Sequence, residues 1–403
     1  MLTAGLIFLI TYLILGIQRL PRIHIDRPSG ALLGAVGMVA FGVLSLEKAY
    51  QSIDLDTLCF LLGMMILIAY LELSGFFEVV ERWIVGLARS TRSLLLLIVL
   101  SAGVLSALFM NDTICLLYTP VVLRVTRRIG LNPIPYLIAL ATSANIGSVA
   151  TIIGNPQNAM IGLRSHLPFL EFTGRLWLIS LLGLAIAFLL IWWIYRKEIS
   201  GAPLVVPPRR QPAEVHRWLL GVSLLAGVAM FTLLVMNFHP PAVAMTLASL
   251  VILAGSRQPR RALQRVDWTL LFLFAGLFVV MRGVEEAGLT TALLDWSRLG
   301  LGHGFGSRVA FNLGVLVTSN LVSNVPAVML YAPLVKTLPS PHDFWLLLAM
   351  CSTLAGNLTI IGSVANLIVV EAAKDEAHIS FVEYLKVGLP LTLVTILIGT
   401  LLI

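Results

Sequence analysis

The chain has 403 residues, of which 58% are hydrophobic and only 12% are charged. Soluble domains carry about 25% charged residues, so this composition excludes a soluble enzyme, a nucleic-acid-binding protein and a disulfide scaffold. It indicates a membrane protein with many spans. The net charge of +7 is assigned to membrane topology, because Lys and Arg collect in the cytoplasmic loops of such proteins.

Apolar runs predict ten membrane-crossing helices, each close to the length that a bilayer requires. The run at the N-terminus lacks the features of a signal peptide and is expected to be a retained helix. An amphipathic interfacial helix is predicted over 76–92, and a proline-containing cytoplasmic linker over 198–216 divides the chain into 1–197 and 217–403. The ten predicted spans are 2–17, 28–46, 55–73, 134–163, 176–195, 217–237, 241–255, 266–283, 343–373 and 382–403.

Two further apolar segments have polar, helix-breaking centres. They cover 93–124 and 307–336, and each is predicted to be a re-entrant hairpin that enters and leaves the membrane on one side. Two full crossings in either segment would leave the orientation of the other helices unchanged. Either way, the basic-rich face is expected to be cytoplasmic and both termini outside, in the plasma (inner) membrane.

The two halves of the chain resemble each other. The sequence TIIGNPQN at 151–158 parallels TIIGSVAN at 359–366, and LLYTPVVL at 116–123 parallels VMLYAPLV at 328–335. Each half has five predicted crossings and one hairpin, and an odd number of crossings places the second half upside down. Inverted repeats with broken helices at the midplane are typical of secondary transporters. The fold class is therefore predicted to be an all-α polytopic inverted repeat.

Polar residues cluster at the two hairpin tips and at the interruptions of two broken helices, 134–163 and 343–373. Unpaired polar groups are costly inside a bilayer, and helix breaks there free backbone groups that bind ions and solutes. A single Asn could equally be an interhelical hydrogen-bond partner. The candidate substrate- and ion-binding residues are Asn111, Asp112, Thr113, Ser143, Asn145, Ser148, Thr151, Gly154, Asn155, Asn158, Ser323, Asn324, Asn357, Thr359, Gly362, Ser363 and Asn366.

Asp112 is the acidic residue expected at midplane depth. An intramembrane carboxylate is a candidate for binding Na⁺ or a proton, although it could also cap the helix that follows it. No arginine or lysine is expected at this depth. No resident cofactor or metal site is expected, and the coupling ion is H⁺ or Na⁺.

These clusters make the chain resemble the ion transporter superfamily, in particular the ArsB/NhaD permeases and the related citrate-transporter-like and divalent anion–sodium symporter families. The carrying motifs include Asn111-Asp112-Thr113, Ile153-Gly154-Asn155-Pro156-Gln157-Asn158, Ser323-Asn324-Val325-Pro326 and Gly356 to Ile368. The resemblance implies a scaffold domain and a transport domain that moves as an elevator, in a homodimer, with or without a soluble ATPase partner.

The resemblance also implies the class of solute. An acidic first tip looks more like the arsenite-permease side, whereas Ile-Gly-Asn-Pro-Gln-Asn at 153–158 is closer to the anion-symporter side. The chain is therefore expected to be a secondary transporter of a small inorganic solute, with proton-coupled efflux of arsenite or antimonite favoured. The alternatives are cation-coupled transport of a carboxylate or oxyanion, Na⁺/H⁺ antiport and, from other classes, a channel or a membrane anchor for an ATPase.

Overall fold

The computed structural model describes residues 1–17, 26–204, 215–255, 259–289 and 304–403, and this part of the chain is helical. The helices of the first half are Leu2–Ile17 (α1), Arg27–Ala40 (α2), Leu46–Gln51 (α3), Leu55–Leu73 (α4), Phe76–Leu87 (α5), Thr91–Leu108 (α6), Asn111–Ile129 (α7), Ile134–Ser148 (α8), Pro156–Ser165 (α9) and Phe169–Ile194 (α10).

The described helices of the second half follow a similar order. They are Arg217–Val235 (α11), Pro240–Ala254 (α12), Pro259–Gln264 (α13), Trp268–Glu286 (α14), Phe305–Val322 (α15), Asn324–Val335 (α16), Pro341–Ala355 (α17), the 3₁₀ turn Ile360–Gly362, Val364–Ala373 (α18) and Phe381–Leu402 (α19).

Six helices in the described ranges are long and apolar enough to cross a membrane: α4, α6, α10, α11, α14 and α19. Shorter apolar helices, including α12, α16 and α18, lie between them. The polytopic membrane character expected from the composition is therefore confirmed. Re-entrance of the two hairpins remains a prediction, because helix length and composition alone do not distinguish a hairpin from two crossings.

The predicted span 28–46 differs from the structure. Helix α2 ends at Ala40, and a separate short helix, α3, begins at Leu46. The chain turns at Gly42, whose φ of 71° lies in the left-handed region that glycine adopts without strain. Apolar residues on both sides of the turn concealed this break in the sequence.

The predicted linker 198–216 falls only partly within the described residues, since 205–214 lie outside them. Its first residues run beside the start of α6. The Thr91 backbone N–H donates to the Ala202 carbonyl at 3.2 Å, and the Leu204 backbone N–H donates to the Arg89 carbonyl at 3.0 Å. This part of the linker is thus attached to the first hairpin.

Helix packing divides the described chain into two groups. In the first group, α2 packs along α14 and α12 along α4, so each half contributes one helix to each pair. Helices α1 and α11 join this group through α2 and α12. In the second group, α6 packs on α8 and α15 on α17, with α10 and α19 against each other, and α7 packs on α8 and α18. The same pairings therefore recur in both halves.

Close packing of α6 on α8 depends on two glycines. A Cβ on Gly147 would lie 2.5 Å from the carbonyl carbon of Gly103, where neither backbone can give way. We expect Gly147→Ala to lower the melting temperature of the purified protein strongly, because overpacking costs about 1–3 kcal/mol or more. Gly174→Ala on α10 is the control, since no described atom lies within 4 Å of its added Cβ. Equal melting temperatures for the two variants would contradict this packing.

Candidate functional site

Four helix N-termini converge on a cavity of about 30 Å³ in the middle of the fold. They are the first residues of α7 and α16, which follow the hairpin tips, and of α9 and α18, which follow the breaks. The helix dipole makes each N-terminus electropositive. The lining includes Asn111, Asp112, Pro156, Gln157, Ser323, Asn324, Ser363 and Val364.

Both hairpin tips have features suited to a binding site. Ser323 has a φ of 82°, which is strained for a residue other than glycine. The buried Oδ1 of Asn111 has no hydrogen-bond partner among the described residues. Because a buried acceptor without a partner is costly, this oxygen can accept a solute hydroxyl or coordinate a cation.

Asp112 places its carboxylate beside the N-terminus of α18, where it interacts with the backbone N–H of Ala365. The charges of Arg27 and Asp267 also act on it. Arg27 is the first residue of α2, and Asp267 caps α14. The carboxylate therefore lies where the two helix groups meet.

Asn145 links both halves behind this cavity. Its Oδ1 accepts from Asn111 Nδ2 at 2.9 Å and from Ser363 Oγ at 3.2 Å. Its Nδ2 donates to the Oδ1 atoms of Asn357 at 2.9 Å and Asn366 at 3.0 Å. Asn145 is fully buried, so the first hairpin tip, the first broken helix and the second are held in one hydrogen-bonded unit.

The two helix breaks are held by equivalent asparagines. Asn158 Nδ2 donates to the carbonyls ten and seven residues before it, Ser148 at 3.0 Å and Thr151 at 3.1 Å. Asn366 Nδ2 does the same at Gly356, 2.7 Å away, and Thr359, 3.0 Å away. These amides satisfy carbonyls that the breaks leave free, and they hold the two repeated motifs through the same pair of contacts.

The rest of the first break is held by contacts across the halves. Asn155 Nδ2 donates to Ser148 Oγ at 2.9 Å and to Thr353 Oγ1 at 3.2 Å, and Gln157 Nε2 donates to the same Thr353 oxygen at 3.2 Å. The Gly154 carbonyl accepts from the Asn111 backbone N–H at 2.9 Å. The break thus supports the first hairpin tip directly.

Twelve of the seventeen candidates lie away from the cavity lining; the asparagine network and the first break account for most of them, and four others are placed as follows. Thr359 donates to Asn320 Oδ1 at 3.1 Å, and Gly362 packs beside the same Asn320 oxygen. Thr113 is partly exposed in the first turn of α7. Ser143 is buried, and its hydroxyl has no partner within the described ranges. Of the seventeen candidates, the structure brings Asn111, Asp112, Ser323, Asn324 and Ser363 to the cavity wall.

The comparisons with known proteins agree with this architecture. A family described as citrate transporter, CitMHS, matches residues 8–343. The chain belongs to this family. The expected membership of the ion transporter superfamily is thereby confirmed, and the chain is a secondary transporter of the CitMHS/ArsB type.

Relatives of the chain include proteins from plants, amoebae and bacteria. The silicon efflux transporter LSI3 of Oryza sativa subsp. japonica is 32% identical, over 94% of this chain and 92% of that protein. The putative transporter arsB of Dictyostelium discoideum is 26% identical, over 94% and 87%. A 46 kDa membrane protein of Mycobacterium leprae is 30% identical, over 97% and 95%.

Among solved structures, the YdaH transporter of Alcanivorax borkumensis has a similar fold. The TM-score is 0.56 at 15% sequence identity, covering 99% of this chain and 95% of that one. At this identity the likeness concerns the fold alone.

The structure corrects one expectation about charge in this CitMHS chain. No arginine or lysine was expected at midplane depth, and none was named as a candidate for the site, yet Arg27 lines the cavity. Thr353 was also missed; it lies 208 residues after Asn145, the same offset that relates Thr151 to Thr359. The internal repeat could therefore have indicated Thr353, whereas Arg27 reaches the site only through helix packing.

Proposed function

We propose that the chain couples proton entry to export of a small inorganic solute, with arsenite or antimonite as the favoured class. The observation that carries this proposal is the placement of Asp112 on a small cavity where four helix N-termini converge. A carboxylate at the centre of the fold can exchange a proton during transport. Amide and backbone donors around it suit a solute rich in oxygen atoms.

The size and charge of the cavity favour a small neutral solute. The cavity is small, at about 30 Å³. A trihydroxide such as arsenious acid or a tetrahydroxide such as silicic acid needs less expansion of this space than a tricarboxylate such as citrate does. Asp112 would also repel a polyanion, whereas a hydroxyl of a neutral solute can donate to it.

The names of two relatives support the same class. A silicon efflux transporter and a putative arsB transporter both align over more than nine-tenths of this chain. Arsenious acid and silicic acid are both small, uncharged hydroxides near neutral pH. Solutes of this shared chemistry would fit the cavity of the present chain.

The two helix groups support an elevator mechanism. The paired helices α2–α14 and α4–α12 would form the scaffold, and the hairpins with the broken helices would form the transport domain. We include in the proposal that the halves are inverted relative to the membrane, that both termini face outside the inner membrane, and that the transporter works as a homodimer, alone or with a soluble ATPase.

A second candidate function is cation-coupled transport of citrate or an inorganic oxyanion. The family description as citrate transporter favours it, and four electropositive helix N-termini could bind carboxylates with Na⁺ as a bridging cation. In this alternative Asp112 and Asn111 would bind Na⁺, as they would in Na⁺/H⁺ antiport without a further solute.

A solute panel in proteoliposomes distinguishes these functions. Purified protein is reconstituted into liposomes, and the liposomes are loaded with labelled antimonite. The release of label is then followed after arsenite, silicic acid, citrate or sulfate is added outside, with and without Na⁺. We expect arsenite to accelerate release independently of Na⁺. Acceleration by citrate or sulfate alone, or a strict requirement for Na⁺, would contradict the proposal and support the second candidate.

A further inference from the structure

Arg27 and Asp112 approach the cavity from different helix groups. Arg27 begins α2, which packs on α14, whereas Asp112 belongs to the first turn of α7, which packs on α18. Both side chains line the same cavity, and the charge of each acts on the other. The electrostatic interaction between them therefore spans the boundary between the proposed scaffold and the transport domain.

The surroundings of Asp112 make a counter-charge necessary. Asp112 is only partly exposed, so water solvates the ionised carboxylate less well than it would at the surface. Asp267, which caps α14, adds a second negative charge. When the site holds neither a proton nor a cation, Arg27 supplies the positive charge at the cavity wall among the residues that the structure describes.

We propose that Arg27 is the built-in counter-charge of Asp112: it stabilises the ionised, empty site and is displaced when a proton neutralises the carboxylate. This inference rests on the proposed function for its role in transport, because displacement of Arg27 would release the transport domain from α2 only after the proton has bound. Arg27 is thus a positioning residue that links the charge of Asp112 to the contact between the two helix groups.

The other charged and titratable groups near Asp112 do not replace Arg27 in this role. Cys115 lies one turn further along α7 and interacts with Asp112. Toward the other end of α7, Arg124 is already paired with Glu81 of α5 at 2.9 Å. Tyr384 of α19 interacts with Cys115. None of these groups adds a positive charge at the cavity wall.

Infrared spectroscopy of the full-length protein in lipid tests the proposal without any solute. The carbonyl band of protonated Asp112, identified by its absence in Asp112→Asn, is followed as a function of pH. We expect Arg27→Gln to move the midpoint of this band upward by about one pH unit, because the loss of a nearby positive charge favours the protonated form. Arg27→Lys should keep the wild-type midpoint, as should the control Arg175→Gln on α10, whose partner is Asp343 at 3.5 Å.

An unchanged midpoint in Arg27→Gln would overturn the inference. If that variant folds poorly, the double variant Arg27→Gln/Asp112→Asn provides the second measurement. It should melt at a higher temperature than Arg27→Gln alone, because removing both charges leaves neither of them unpaired. Additive effects on melting temperature would equally overturn the inference.

The outcomes for the inference and for the proposed function are distinguishable. A shifted Asp112 band together with no antimonite exchange in wild-type proteoliposomes would support the charge pair and contradict metalloid transport. Exchange of antimonite by the wild type, together with an unchanged Asp112 band in Arg27→Gln, would support metalloid transport and contradict the role of Arg27 as a counter-charge.

Discussion

Asp112→Asn is expected to abolish proton-driven accumulation of the solute and to leave the protein folded. Asparagine has nearly the same shape and can still accept from the Ala365 N–H near which the carboxylate lies, but it cannot bind and release a proton in the accessible pH range. Accumulation of antimonite in everted membrane vesicles measures the effect. We expect it to fall to the level of vesicles without the transporter.

The matched control for Asp112 is Asp375→Asn, because Asp375 is exposed after the end of α18. This variant should accumulate antimonite as the wild type does. Passive exchange of antimonite at equal pH on both sides should survive in Asp112→Asn, since the amide still offers hydrogen bonds to the solute. Accumulation by Asp112→Asn at the wild-type rate would show that the coupling proton binds elsewhere.

Asn145→Ala is expected to destabilise the fold and to abolish transport together. The substitution leaves the amides of Asn111, Asn357 and Asn366 and the hydroxyl of Ser363 without their Asn145 contacts. Each buried polar group left without a partner costs roughly 1–3 kcal/mol. We expect a drop in melting temperature and loss of antimonite exchange, measured on the same purified samples.

Ser143→Ala is the control for this prediction, on the same helix and at the same full burial. Its hydroxyl has no hydrogen-bond partner among the described residues, so its removal should leave the melting temperature unchanged or slightly raised. If Asn145→Ala and Ser143→Ala melt at the same temperature, the linking role of Asn145 is wrong.

The sequence predicted helix bounds best where they depend on the length of one apolar run. Apolar length predicts a span directly, and the structure has α1 over Leu2–Ile17 and α4 over Leu55–Leu73, the bounds that were predicted. The break after Ala40 was missed because its turn depends on the φ of a single glycine, Gly42, among apolar neighbours. Hydropathy does not register backbone conformation.

The internal repeat carried information about the site beyond local pattern. The shared motifs at 151–158 and 359–366 predicted that both breaks would be alike, and Asn158 and Asn366 indeed donate to carbonyls at the same two offsets. The motifs could not indicate that these two amides donate to backbone carbonyls and do not line the cavity. The cavity wall is formed instead by the hairpin tips and the helix N-termini.

Contacts between distant segments could not be predicted from one sequence. Arg27 and Asp267 reach Asp112 across 85 and 155 residues of chain, by the differences 112 − 27 and 267 − 112, and only the packing of α2 on α14 places them there. Their charges look like ordinary flanking residues of two spans. The charge environment of the carboxylate is therefore a property of the tertiary structure.

The most direct test of metalloid export coupled to protons is antimonite accumulation in everted membrane vesicles, first with a proton gradient and then after a protonophore collapses it. We expect accumulation that requires the gradient, is lost on collapse and is absent from Asp112→Asn vesicles. Accumulation that persists after collapse, or none at all in vesicles shown to contain folded protein, would contradict it.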